Sequence, residues 1–199
     1  MQAKTEKEFF NRCADKWDEK ETVTPEKYRR IIKNTYIENK QDILDVGTGT
    51  GVLIPYILEA AGQETTIFAI DYAEKMIDKF LLKNFPDNVK PFVMDIHKTD
   101  FENDFFDRVI VNSCYPHFKD KIEALKEIYR IMKPGGICTI CHPTGNKHVN
   151  HVHRETSHPL IERHLLENMS ELRKSVESAG FRFLKGIDEP DFFLISFTK

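Results

Sequence analysis

From residue 42 onward, short β-rich runs alternate with amphipathic helical segments. A glycine-rich turn follows the first of those runs, and the chain ends in two strands in succession. Together these features predict an α/β protein with helices on both faces of a Rossmann-like, doubly wound sheet. The sheet is expected to be mostly parallel, with an antiparallel strand near the C-terminus.

The elements follow in order. Phe9, Phe10, Cys13 and Trp17 recur at near-helical spacing, and Thr24-Pro25-Glu26 marks the start of a second helix. Tyr28, Ile31, Ile32, Thr35 and Tyr36 form that helix's apolar stripe. Residues 1–40 therefore read as a helical cap ahead of the sheet. Strands are expected at 43–46, 65–70, 89–94, 108–113 and 137–142, with helices at 52–61, 73–84 and about 119–132 between them. Pro91 cannot donate to a ladder, which puts the third strand near an edge. Lys133-Pro134-Gly135-Gly136 is expected to break the chain before the fifth strand. A helix near 160–179 and strands at 181–187 and 192–198 complete the list, the two strands pairing antiparallel at one edge.

The chain has 199 residues, 40% of them hydrophobic and 31% charged, which fits one domain over 1–199. Twenty-nine basic against 32 acidic residues leave a net charge of −3, without the basic excess of a nucleic-acid binder. No apolar run approaches the ~18 residues of a membrane span, and the N-terminus is polar rather than signal-like. The expected compartment is cytoplasmic, with Cys13, Cys114, Cys138 and Cys141 as reduced thiols.

The chemistry-bearing motif is Asp45-Val46-Gly47-Thr48-Gly49-Thr50-Gly51, at the carboxyl end of the first strand. Ligands of open parallel sheets bind beyond those ends, where the strand order reverses. Glycines there admit close backbone approach, and a helix start favours an anionic group. The dinucleotide fingerprint needs a glycine three positions after its second; that position here is Val52. Asp71 ends the second strand, where a carboxylate can accept both hydroxyls of a ribose. Asp95 follows the third strand, within reach of an adenine amino group. Taken singly, each has a plain reading, such as Asp71 capping the next helix. Taken together, three acids at successive strand ends converge on one crevice.

Residues 42–142 resemble the core of the class I S-adenosylmethionine (SAM)-dependent methyltransferases, in particular the small-molecule, UbiE-like branch that includes quinone-biosynthesis enzymes. The stretches that carry the likeness are 43–51, Ala69-Ile70-Asp71-Tyr72-Ala73-Glu74-Lys75-Met76, Phe106-Asp107-Arg108-Val109-Ile110 and 129–136. The resemblance implies SAM as cofactor. It seats the methionine moiety on Asp45, Gly47, Thr48, Gly49 and Gly51 and the ribose on Asp71, with Tyr72 and Met76 close by. It sets Asp95 and Ile96 beside the adenine and Asn112 near the amino-acid portion. Trp17 of the cap is expected to close over the cofactor or to pack in the core.

Six of the eight histidines fall between 142 and 164, inside and beside an insert expected at 143–170. His117 follows the fourth strand and His142 ends the fifth, so neighbouring strands would bring both to the acceptor side. Three readings stay open. One imidazole is a general base for a hydroxyl, thiol or amine. Alternatively His117, His142 and His153 bind a transition metal such as zinc, cobalt, nickel, copper or iron. The third reading is a solvated, histidine-rich loop. Asn150 and His153 also resemble a pattern of a poorly characterised methyltransferase subgroup, an Asn and a His three residues apart after the fifth strand.

Cys138 and Cys141 fall on opposite faces of one strand and read as buried thiols. Cys114 sits at the mouth, where a soft substrate is conceivable. The expected reaction is methyl transfer to a small-molecule substrate, without nucleic-acid or membrane partners and with the oligomeric state open. A non-catalytic metal or ligand sensor and an NAD-linked oxidoreductase are the rivals.

Overall fold

A computed structural model of the protein describes residues 3–20, 22–62, 64–156 and 158–199. Met1 and Gln2 of the polar N-terminus and Ser157 of the expected insert lie outside them. Seven strands form one sheet in the order β3-β2-β1-β4-β5-β7-β6. They are β1 (Asp42–Val46), β2 (Thr66–Asp71), β3 (Val89–Val93), β4 (Phe106–Asn112), β5 (Met132–His142), β6 (Arg182–Glu189) and β7 (Phe192–Thr198). The first five are parallel, and β7 is antiparallel to both β5 and β6. The order reverses between β1 and β4, so the crevice expected of an open sheet lies there.

β3 is an edge strand, as Pro91 predicts. Ile67 donates to the Asn88 carbonyl and Met94 to that of Asp71, so even-numbered β3 residues face β2. The missing N–H of Pro91 therefore points outward, where no ladder needs it. β7 is buried at every residue because it lies between β5 and β6, which explains its unbroken Phe192-Phe193-Leu194-Ile195 run.

Helices cover both faces. α2 (Pro25–Lys33), α3 (Ile54–Ala61) and Phe80 of α4 (Glu74–Leu81) bury Tyr28, Ile31, Ile54 and Ile57 against one face. α5 (Lys121–Ile131) and α7 (Met169–Ser178) bury Leu125, Ile128, Leu172 and Val176 against the other. Thr24 and Pro25 begin α2 as expected, although the Thr24 side chain makes no cap bond.

Three boundaries differ from the sequence expectation. β5 starts at Met132, and Lys133–Gly136 forms a bulge rather than a break. Between the pairs Phe106↔Met132 and Arg108↔Ile137, β4 advances past Asp107 while β5 passes four residues. Gly135 takes φ +79°, and a Cβ on Gly136 would lie 2.8 Å from the Lys133 carbonyl oxygen, so the bulge needs both glycines. The expected 160–179 helix is confined to α7, whose start is fixed by a capping box between Asn168 and Glu171. α6 (Asn146–Glu155) is a helix where the sequence offered no apolar stripe; Val149 is its one buried residue. α1 (Glu6–Cys13) buries no residue fully and lies across the carboxyl ends of the strands. No described helix is long and apolar enough to cross a membrane.

Candidate active site at the switch point

A cavity of about 550 Å³ opens at the β1/β4 switch point. Its floor is the turn after β1. Gly47 (φ +66°) and Gly49 (φ +56°) occupy the left-handed region that side chains avoid. A Cβ on Gly47 would fall 2.6 Å from Sγ of Cys114, whereas one on Gly49 would project toward Trp17 Nε1 at 3.6 Å, into the cavity's own space. Gly51 is not part of the lining. It turns against Phe80 and Phe85, where a Cβ would sit 2.7 and 2.8 Å away, and so fits the turn to α4.

Of the other expected cofactor residues, Asp45, Thr48, Asp71, Tyr72 and Met76 line the cavity on the β1–β2 side. Asp95, Ile96, Asn112 and Trp17 line it further round. Asp71 Oδ2 accepts from the Gly49 N–H (3.0 Å) and Oδ1 from the Ala73 N–H (2.8 Å), so the carboxylate also locks the turn. Burial raises its pKa to about 6 against those two bonds. Asp45 accepts from the Thr48 hydroxyl at 2.7 Å, and burial raises it to about 7. Asp95 Oδ1 meets His97 through that residue's backbone N–H (3.0 Å) and its ring Nδ1 (2.6 Å), a contact that no motif in the sequence signals. The Tyr72 hydroxyl is buried without a partner among the described residues, and the residue itself lines the cavity.

The His117 end of the cavity is aromatic. Phe10 of α1 stands between Trp17 (centroids 6.0 Å) and Tyr72 (6.2 Å) on one side and His117 (5.1 Å) on the other. Cys114 donates from Sγ to the Val46 carbonyl at 3.0 Å. Burial, then Asp45 and Asp71, push that thiol well above its ordinary pKa, so it is a packed thiol without the character of a soft ligand. Cys138 and Cys141 are buried on opposite faces, in line with their spacing.

His117 lines the cavity, whereas His142 and His153 stand behind it. His117 Nδ1 meets Nδ1 of His164 at 3.0 Å, and its ring lies 5.0 Å from that of His153. His153 Nδ1 contacts the His164 carbonyl. His142 is buried at the end of β5, its Nε2 without a partner among the described residues, and burial lowers its pKa to about 3. Burial also holds His117 well below its ordinary range, followed by repulsion from His153, His164, His142 and Lys121. Among the described residues, no three His, Cys, Asp or Glu side chains are grouped to hold a metal, so the metal expectation at His117, His142 and His153 gains no support. His148 and His151 lie exposed on α6, a solvated helix rather than a solvated loop.

His164 is the residue the sequence did not single out. Asn146 and Asn150, one turn apart on α6, explain its placement. Asn146 donates to the carbonyls of Leu166 (3.0 Å) and Glu167 (2.7 Å). Asn150 donates to the Leu166 carbonyl (2.9 Å) and accepts from its N–H (2.7 Å). The Asn150/His153 pair thus shapes the loop that carries His164.

Known proteins resemble this chain in sequence and in fold. Residues 44–140 match the methyltransferase domain family. An uncharacterized methyltransferase of Schizosaccharomyces pombe is 38% identical over 100 residues, covering 50% of this chain and 38% of its own. Demethylmenaquinone methyltransferase of Staphylococcus aureus is 31% identical over 110 residues, covering 55% and 46%. The match thus spans about half or less of these relatives. A chain from the Haloferax volcanii complex of the Trm112 methyltransferase activator with a methyltransferase superposes with a TM-score of 0.80 at 18% identity, covering 99% of both chains. A SAM-dependent methyltransferase of Aquifex aeolicus follows at 0.74 and 19%, covering 94% of this chain and 97% of its own. Residues 44–140 thus resemble a methyltransferase domain, and the whole chain, with its glycine turn, Asp71 and strand order, shares the fold of the superposed structures.

Proposed function

We propose that the protein transfers a methyl group from SAM to a small-molecule acceptor bound at the His117 end of the cavity. The carrying observation is the joint lining of one cavity by the Gly47/Gly49 seat, Asp71 and Tyr72, whose buried hydroxyl is unpartnered among the described residues. These fit SAM: small seats for its amino-acid part, an acceptor for ribose hydroxyls and a spare donor for a polar ligand group. Asp95 and Ile96 would flank the adenine. When bound, SAM supplies an activated methyl group on a positively charged sulfur, and the protein's task is alignment and exclusion of water.

The residues share that task. Asp71, ionised above a pH of about 6, puts negative charge near a cationic ligand. Phe10 and Trp17 cover the cavity and keep water from the reacting centre. His117, neutral and at the acceptor end, takes the proton of a hydroxyl, thiol or amine. His142 stands behind it and acts through its neighbours.

Calorimetry with S-adenosylhomocysteine (SAH) and with NAD tests the reading. SAH binding without NAD binding is expected; NAD binding alone overturns it in favour of an oxidoreductase. Turnover of labelled SAM with quinol, thiol and amine acceptors separates an enzyme from a sensor. It is run with and without a Trm112-type activator, since one matched fold is solved with such a partner.

A further inference from the structure

We propose that Glu6 and His164 are positioning residues that fix His117 as a base, with its proton on Nδ1 and its Nε2 lone pair free for the acceptor. The inference rests on the methyl-transfer reading and adds two residues from elements distant in sequence.

The argument is one of donors and acceptors. His164 Nε2 lies 3.1 Å from Oε1 of Glu6 on α1. A carboxylate accepts only, so it favours the proton of a neutral His164 on Nε2. His164 Nδ1 is then a lone pair. It faces His117 Nδ1 at 3.0 Å, a separation that needs one proton between the two nitrogens, and His117 must supply it. The tautomer of His117 follows, with Nε2 bare. That nitrogen has no partner among the described residues, and the side chain lines the cavity.

The surroundings keep this state in place. Burial first, and then His153 from α6, His164 from the following loop, His142 from β5 and Lys121 from α5, disfavour an imidazolium at His117, so the ring receives the acceptor neutral. As the acceptor's heteroatom bonds to the methyl carbon, its X–H pair stays on the heteroatom and the proton goes to His117 Nε2. The carbon–sulfur pair remains on sulfur. Glu6, acting through His164, steadies the imidazolium until the product leaves, and the proton then passes to water. The logic is that of a triad, in which the third member orients without being protonated. Because Glu6 sits on α1, the base is complete only with the cap in place.

The test needs no acceptor. Long-range ¹H–¹⁵N correlation of histidine-labelled protein reads which imidazole nitrogen carries the proton, with His117→Gln assigning the signal. His117 is expected as the Nδ1–H tautomer in the wild type. In Glu6→Gln, the amide can donate to His164, so both rings are expected to switch and the Nδ1–H share of His117 to fall to about half or less. His164→Leu removes the acceptor and is expected to give a mixture. Melting by circular dichroism confirms that each variant is folded; Glu6 is partly exposed, so its variant keeps the test available. A wild-type His117 protonated on Nε2, or a tautomer unchanged in both variants, overturns the proposal. Failure of wild-type SAH binding would instead sink the methyl-transfer reading and leave the tautomer result standing.

Discussion

Asp71 holds the glycine turn through Gly49 and Ala73, and in the proposed function it would also meet the ligand with its remaining lone pairs. Burial lifts its pKa to about 6, so it is ionised above that value and protonated below it. SAH affinity is therefore expected to hold from pH 8 to 7 and to weaken as pH falls through 6, read by calorimetry across that range. Asp71→Asn should lose about tenfold or more at pH 7.5, the worth of a charge-assisted bond, with a flatter pH response; equal affinity would remove Asp71 from the site. His142 titrates with the opposite sign. Its folded pKa of about 3 lies below the ordinary 6.5, so the unfolded chain takes up the proton first as the solution is acidified. Its contribution is present above 6.5 and is lost as pH falls from there toward 3. Between pH 7 and 5 the wild type should lose about 2 kcal/mol relative to His142→Leu, measured by denaturation at both values. A constant gap would mean that the ring is hydrated or paired in solution.

At the level of elements, what could be read from sequence followed periodicity and chemistry that stay local. β1, β2 and β4 are short apolar runs with turn residues after them, and α5 has Ala124, Leu125, Ile128 and Ile131 on one buried face. α6 offers no such signal, because its sequence Asn146-Lys147-His148-Val149-Asn150 buries one apolar side chain and holds its neighbour through amides instead. His164 is not legible for the same reason: its partners Glu6 and His117 lie far off in sequence, and the loop is held to them by the Asn146/Asn150 clamp together with Lys121 and His153. Lys133–Gly136 reads as a stop because a wide bulge and a turn use the same residues. The clamp has a measurable consequence. Asn150→Ala leaves the N–H of Leu166 without its partner and the carbonyl with one fewer, and should cost about 1–3 kcal/mol. His151→Ala, on the exposed side of the same helix, should stay within about 0.5 kcal/mol. Similar losses in both would mean that α6 contributes by burial or helix propensity rather than through this clamp.

Across the whole molecule, stability is unevenly spread, and the uneven part lies over the cavity. The strands β1, β4, β5 and β7 are buried over most of their length, so their amides are expected to open last. Of the cap, α1 and the turns that follow it to residue 20 are attached differently from α2. Lys7 and Asn11 both reach Glu74 (2.5 and 3.0 Å), Lys79 pairs with Asp15 (2.8 Å) and Lys83 with Asp18 (2.9 Å), all with at least one exposed partner. Such pairs contribute about 0–1 kcal/mol each, and the apolar cluster beneath is small: Ala14, Ala73 and Met76, with Phe10 and Trp17 packed on it. A cap held this way opens at little cost, which a ligand entering under Phe10 and Trp17 requires. A ligand lying between those rings and the glycine turn should reverse the balance, since its contacts exist only with the cap closed. Hydrogen exchange followed by mass spectrometry should therefore find α1 exchanging orders of magnitude faster than β7 in the free protein. Saturating SAH should slow α1 strongly and leave the β6–β7 hairpin unchanged. If α1 is already as protected as β7 without ligand, or if SAH slows every segment alike, the cap is part of the rigid body and the cavity must fill by another route.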